Sequence, residues 1–157
     1  WYYPAIRELA ACPGFVADPA WIAANLRPKV TTAQAAEALS VMLELGLLTR
    51  AEDGSLALSE ATIVTPHQVQ GLAVHNYHQG MIGRAEESIE RFKRTERHLS
   101  ALTVAIPESL VATLKDEIDA FQERILDLCD SESGAAERVY QFNMQLFPLS
   151  AKVEGGE

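Results

Sequence analysis

Between residues 17 and 59 the chain is punctuated so closely that few folds remain open to it. Asp18-Pro19 opens a helix, because Asp suits the N-cap and Pro suits the first helical position, where its missing N–H costs nothing. Trp21, Ile22 and Leu26 give that helix an apolar face, and Arg27-Pro28 ends it. Thr31-Thr32 caps a further helix running to about Leu45, with Ala35, Ala38, Leu39, Met42 and Leu45 at helical spacing. Gly46 is placed to terminate it, since glycine adopts the left-handed C′ conformation freely. Residues Leu47–Arg50 read as a strand, Asp53-Gly54 as a tight turn, and Leu56–Leu58 as the returning strand. A short helix over 2–11, with Tyr2, Ile6 and Leu9 on one face, comes first and is broken by Pro13-Gly14. Three helices followed by a hairpin is the order of a winged helix-turn-helix.

Beyond Thr65-Pro66 the pattern changes. His67–Phe92 is helical, with Val69, Leu72, Ala73, Ile82, Ala85, Ile89 and Phe92 on related faces. Gly71, Gly80 and Gly83 weaken that helix, so a close packing partner is expected where they lie. Leu99–Ile106 alternates Leu102, Val104 and Ile106 with Ala101, Thr103 and Ala105, which suits a strand stopped by Pro107. Glu108–Asp130 carries the clearest helical pattern, through Leu110, Leu114, Ile118, Phe121, Ile125 and Leu128. Arg138–Phe147 alternates again and predicts a strand with one buried face, ended by Pro148. The two late strands are expected to pair through the helix between them. The fold class expected is therefore α+β. It comprises a winged helix-turn-helix over 1–62, a helix–strand–helix–strand module over 63–150 for dimerisation or sensing, and a flexible tail over 151–157.

Charge narrows the function classes. The 157 residues carry a net charge of −9, which argues against a strong sequence-independent grip on nucleic acid. A small basic face on an acidic body is still compatible with it. The hydrophobic fraction of 48% and charged fraction of 22% are those of an ordinary globular protein with a sizeable core. No apolar run reaches the roughly 18–20 residues that span a membrane, and no signal peptide is visible, so a cytoplasmic protein is expected. The sequence begins with Trp1, so a longer protein is expected to extend upstream. Cys12 and Cys129 are far apart and in no metal-like spacing, and are expected as two buried thiols rather than a disulfide.

Five stretches in order resemble the bacterial DUF4423 family of regulators: residues 1–7 (WYYPAIR), 43–48 (LELGLL), 77–81 (YHQGM), 96–103 (ERHLSALT) and 147–149 (FPL). The resemblance covers almost the whole sequence. It implies a regulator in which this domain follows an N-terminal helical, DNA-binding-like region absent here. It names no ligand or target.

Several residues are candidates for contacts. In a helix-turn-helix the N-terminal end of the recognition helix meets base edges. Thr31, Thr32 and Gln34 hold that end, with Lys29 just before and Arg50 on the hairpin as a further candidate for DNA. Glu37 repels phosphate, although a carboxylate can accept from a cytosine amine, and the wing tip Glu52-Asp53-Gly54 is acidic. An interaction role without DNA is the competing reading. Arg91, Lys93, Arg94 and Arg97, with His98, form the one dense basic cluster. It suits an anion or an acidic partner, or else simply complements a helix C-terminus and pairs with Glu86, Glu87 and Glu90. His75 and His78 share a helix face but lack a third metal ligand at suitable spacing, with His67 and His98 too distant in sequence. No phosphate loop, GxSxG elbow or CxxC recommends an enzyme, no metal or cofactor is expected, and Asp116, Glu117 and Asp119 read as a solvated helix face. Tyr140, Phe142, Met144 and Phe147 are expected in the core, with a dimer surface or a small apolar pocket as the alternative. The expected partners are a second copy of the protein, DNA through this or an upstream domain, and a regulatory protein. A ligand sensor is a further reading, requiring a cavity between the 108–130 helix and its sheet.

Overall fold

A computed structural model describes residues 1–52, 54–59 and 67–152, without the side chains of 67–73. Asp53 of the expected turn, the Thr65-Pro66 breaker, the side chains of His67, Val69, Leu72 and Ala73, and residues 153–157 of the expected tail lie outside that description. The described residues form α1 (Tyr2–Leu9), α2 (Pro19–Asn25), α3 (Thr32–Glu44), β1 (Leu48–Arg50), β2 (Leu56–Leu58), α4 (His67–Arg91) and α5 (Leu110–Ser131). This is a mixed helical protein with one small antiparallel sheet, compatible with the α+β class. The residues divide into two compact units: Trp1–Arg97 with Gly134–Gln141, and His98–Ser133 with Phe142–Glu157.

The first unit holds the core, and local signals set its helices. Asp18 accepts from the backbone N–H of Trp21 at 2.8 Å, with Pro19 at the first position of α2. Thr31 caps α3 by a reciprocal capping box. Its Oγ1 accepts the Gln34 N–H at 3.1 Å, and the Gln34 Oε1 accepts the Thr31 N–H at 2.9 Å. At the other end Gly46 has φ +69°, its N–H reaches the Leu43 carbonyl at 3.1 Å, and Leu47 N–H reaches Met42 at 2.8 Å. That pair of bonds is the Schellman closure, and Leu47 and Met42 are both buried beside it. β1 and β2 pair with Leu48 opposite Leu58, Thr49 opposite Ala57 and Arg50 opposite Leu56. The buried side chains of α1, α2, α3 and the hairpin, among them Ile6, Ile22, Ala35, Ala38, Met42, Leu48 and Leu56, form one cluster. Arg7 ties α1 to the end of the hairpin by donating to the Ser59 carbonyl at 3.2 Å. In α4, Met81 is buried, and a methyl group on Gly80 would meet the Trp1 Cβ at 3.4 Å, the close partner expected there, whereas one on Gly83 would meet nothing within 4 Å.

The second unit differs from expectation. α5 forms where its pattern predicts, but none of its residues is buried. The expected strands over 99–106 and 138–147 do not form; both stretches are neither helix nor strand. Alternation states which face a paired strand would bury, but it does not supply the pairing. Leu102 is 85% exposed, and Ala101, Thr103 and Ala105 on the alternate positions are exposed as well, so no face is selected. The segment 138–147 is itself divided between the units after Gln141. Of the expected helix–strand–helix–strand module both helices form, as α4 and α5, while the two strands are corrected to irregular segments. The core placement of Tyr140, Phe142 and Phe147 is corrected with it, since all three are exposed and Met144 is half-buried. The sheet needed for a ligand cavity against the 108–130 helix is absent among the described residues. Cys129, expected as buried, is exposed; both thiols are free.

Candidate nucleic-acid interface

Helix α3 turns Ala35, Ala38, Leu39 and Met42 into the core, which leaves Thr32, Ala33, Ala36, Glu37, Ser40 and Glu44 on the outside. Lys29, Thr31, Thr32, Gln34 and Arg50 are all exposed. The polar atoms of Thr31 and the carbonyl oxygen of Gln34 are already used in the capping box, so they are held by the helix end rather than left for an incoming base. Thr32 and Lys29 carry no such bond among the described residues. Arg50 donates to the Gly54 carbonyl at 3.2 Å, which holds its guanidinium along the hairpin loop. Arg27, which sequence reasoning did not single out, is a further exposed cation before α3. It donates to the carbonyls of Ala24 at 2.6 Å and Leu26 at 2.8 Å, closing the C-terminal end of α2. Glu37 opposes this positive edge. Burial, then the negative fields of Glu37 and Tyr2, raise the Tyr3 hydroxyl above its ordinary value.

Two members of the basic cluster, Arg91 and Arg97, are engaged. Glu87 pairs with Arg84 at 2.6 Å and with Arg91 at 3.2 Å, one turn to either side. Arg97 folds back on the end of α4, donating to the carbonyls of Phe92 and Ile89, each at 3.0 Å. These are the carbonyls a helix end leaves without intrahelical partners, so the Arg97 guanidinium closes the C-terminal end of α4. Lys93 and Arg94 are exposed. Glu96 binds Arg138 at 3.0 Å, joining the turn after α4 to the segment 134–141. The Arg138 bond, with help from the Lys93 backbone N–H, lowers the Glu96 carboxyl below its ordinary value. Asp116, Glu117 and Asp119 are exposed on α5, as a solvated face requires. His75 and His78 are exposed too, the latter edge-on to Tyr77 at 5.6 Å. Among the described residues no three metal-binding side chains converge.

The first unit also contains a half-open cleft of about 790 Å³ that no linear motif announces. Trp1, Leu9, Trp21, Met81, Arg84 and Phe92 line it. The Arg84 guanidinium lies 5.2 Å above the Trp1 ring, and its buried Nε has no hydrogen-bond partner among the described residues. Only the folded arrangement brings residues 1–27, 81–92 and 135–141 around one space, so the spacing of these residues in sequence carries no sign of it.

No helix among the described residues is long and apolar enough to cross a membrane. No curated protein and no solved structure matches this sequence. A family model described as a domain of unknown function (DUF4423) matches residues 1–149, which is nearly all of the sequence. The protein therefore belongs to the DUF4423 family.

Proposed function

We propose that the protein is a non-enzymatic module of a bacterial transcription regulator. In this reading α1–α3 and the β1–β2 hairpin form a winged helix-turn-helix, and the second unit serves association. The observation that carries it is the disposition of α3. The helix buries one face against α1, α2 and the hairpin and presents its capped N-terminal end, with Lys29 and Thr32 exposed at that end and Arg50 exposed on the hairpin. A helix N-terminus favours phosphate through its N–H groups and dipole, and Lys29, just before that end in sequence, adds to it. Glu37, Glu44 and the overall charge of −9 oppose it, so the grip of this protein on DNA is weak. The principal DNA contact belongs to a region upstream, in accord with the family resemblance. The cytoplasm is the compartment this role requires.

Fluorescence anisotropy of the protein on duplex DNA at rising salt tests this reading. Binding at low salt that fades with salt, and is lost in Lys29→Glu with Arg50→Glu, is expected. Absence of binding at low salt overturns contact between this protein and DNA, and favours an interaction module without DNA. A second reading rests on the cleft. Two tryptophans, Phe92 and an arginine whose buried Nε is unpaired among the described residues suit a small ligand with an aromatic or apolar body and an anionic end, which would make the first unit a sensor. Quenching of the tryptophan fluorescence by such compounds, abolished in Arg84→Met, distinguishes it.

A further inference from the structure

Helix α5 is the one helix of the second unit among the described residues, and none of its residues is fully buried: Val111, Leu114, Ile118 and Ile125 are half-buried, and Phe121 and Leu128 are exposed. Among the described residues the last buried side chain in sequence order is Met81, so the second unit has no core of its own. Eleven large apolar side chains among the described residues of this unit are more than a third exposed. Four of them, Leu110, Phe121, Leu126 and Leu128, lie on α5. A unit of this size cannot offset its conformational entropy without covering that surface.

The identity of the covering partner is written in the spacing of α5. Val111, Leu114, Ile118, Phe121, Ile125 and Leu128 follow one another at intervals of three, four, three, four and three residues. This is the 3.5-residue period of a seam between two helices, rather than the broader stripe of a helix lying on a sheet. Asp116, Asp119, Glu123, Asp127 and Asp130 are exposed away from the seam. We infer that α5 pairs antiparallel with α5 of a second copy of this protein, about a two-fold axis passing between Asp119 and Ala120. This deepens the association role proposed above for the second unit and is independent of whether α3 touches DNA.

The seam is self-complementary in that direction. Val111 meets Leu128 of the partner, Leu114 meets Ile125 of the partner, and Ile118 meets Phe121 of the partner. Each layer is then repeated by symmetry, as a closed two-fold interface requires. The six layers extend over about 25 Å of helix. The flanking charges choose the direction. Glu117 and Arg124 are exposed, and among the described residues neither has an ion pair within its own copy. Antiparallel pairing sets Glu117 beside Arg124 of the partner, twice over. Parallel pairing sets Glu117 beside Gln122 and Arg124 beside Cys129, with no opposite charges matched.

Sedimentation equilibrium of the whole protein over a concentration series, without DNA, tests the pairing. A species of twice the monomer mass is expected, and Ile118→Asp is expected to reduce it to monomers. Circular dichroism and the thermal transition of the first unit control for folding in that variant. Glu117→Arg and Arg124→Glu are each expected to raise the dimer Kd about tenfold, since each breaks two ion pairs and creates two like-charge contacts. The double exchange is expected to bring the Kd back to within about twofold of the parent. A monomer mass at every concentration overturns the proposal, as it would if another protein or another part of a longer polypeptide covers α5. A dimer whose Kd is no better in the double exchange than in the single variants also overturns it, in favour of parallel or other pairing.

Discussion

At the residue scale the firmest structural points are the two ends of α3. Thr31→Ala removes one half of the capping box and leaves the Gln34 backbone N–H without its side-chain acceptor, so a loss of about 1 kcal/mol in urea unfolding is expected. Gly46→Ala forces a Cβ into the left-handed region at φ +69° and is expected to cost about 1–2 kcal/mol by the same measurement. Both ends were legible as single letters, because a cap is a local bargain between neighbouring backbone groups. Arg97 was legible only as a charge. Its role as a clasp on the Ile89 and Phe92 carbonyls depends on the backbone doubling back after α4, which no spacing rule states. Glu96 offers a pH probe. Its carboxyl titrates below the ordinary value of 4.5 in the folded protein, chiefly through the Arg138 bond. The bond therefore adds stability that is complete above the ordinary value and is lost as pH falls through the lowered one. In Arg138→Gln the Glu96 carboxyl, followed by NMR titration, is expected to move up toward its ordinary value.

At the element scale, α2, α3 and the hairpin follow from caps, breakers and periodicity that agree with one another. Met42 is 1% exposed in the cluster those elements share, and Met42→Ala is expected to destabilise the first unit by about 2–5 kcal/mol in chemical denaturation. The late strands show the limit of that kind of reading. Leu102, Val104, Tyr140 and Phe142 alternate with smaller or polar residues as strand residues do, yet a strand is a relation between two segments and needs a partner in register. The helix between them was readable because its hydrogen bonds are internal. The cleft around Trp1 and Arg84 was unreadable for the same reason as the strands: it is made by residues remote from one another in sequence.

At the scale of the whole molecule, burial is distributed unevenly. The buried cluster draws on residues 6 to 56, all in the first unit, and among its described residues the second unit has no buried side chain. Stability should be graded accordingly. Native-state hydrogen exchange is expected to show strong protection in α2 and α3 and weak protection in α5 at high dilution, with α5 protection rising as protein concentration rises. Concentration-independent protection of α5 would mean that its apolar face is covered within a single copy.

Helix α4 carries a less obvious instruction. A methyl group on Gly83 would meet nothing within 4 Å, so space does not require glycine at that position, and its φ lies outside the left-handed region. What glycine supplies there is slackness: about 1 kcal/mol of helix propensity forgone relative to alanine. Gly83 sits two residues from Met81 and one from Arg84, both on the wall of the cleft. Gly83→Ala should therefore raise the melting temperature while stiffening that wall, making this a position where durability can be gained and compliance surrendered by adding a single carbon atom.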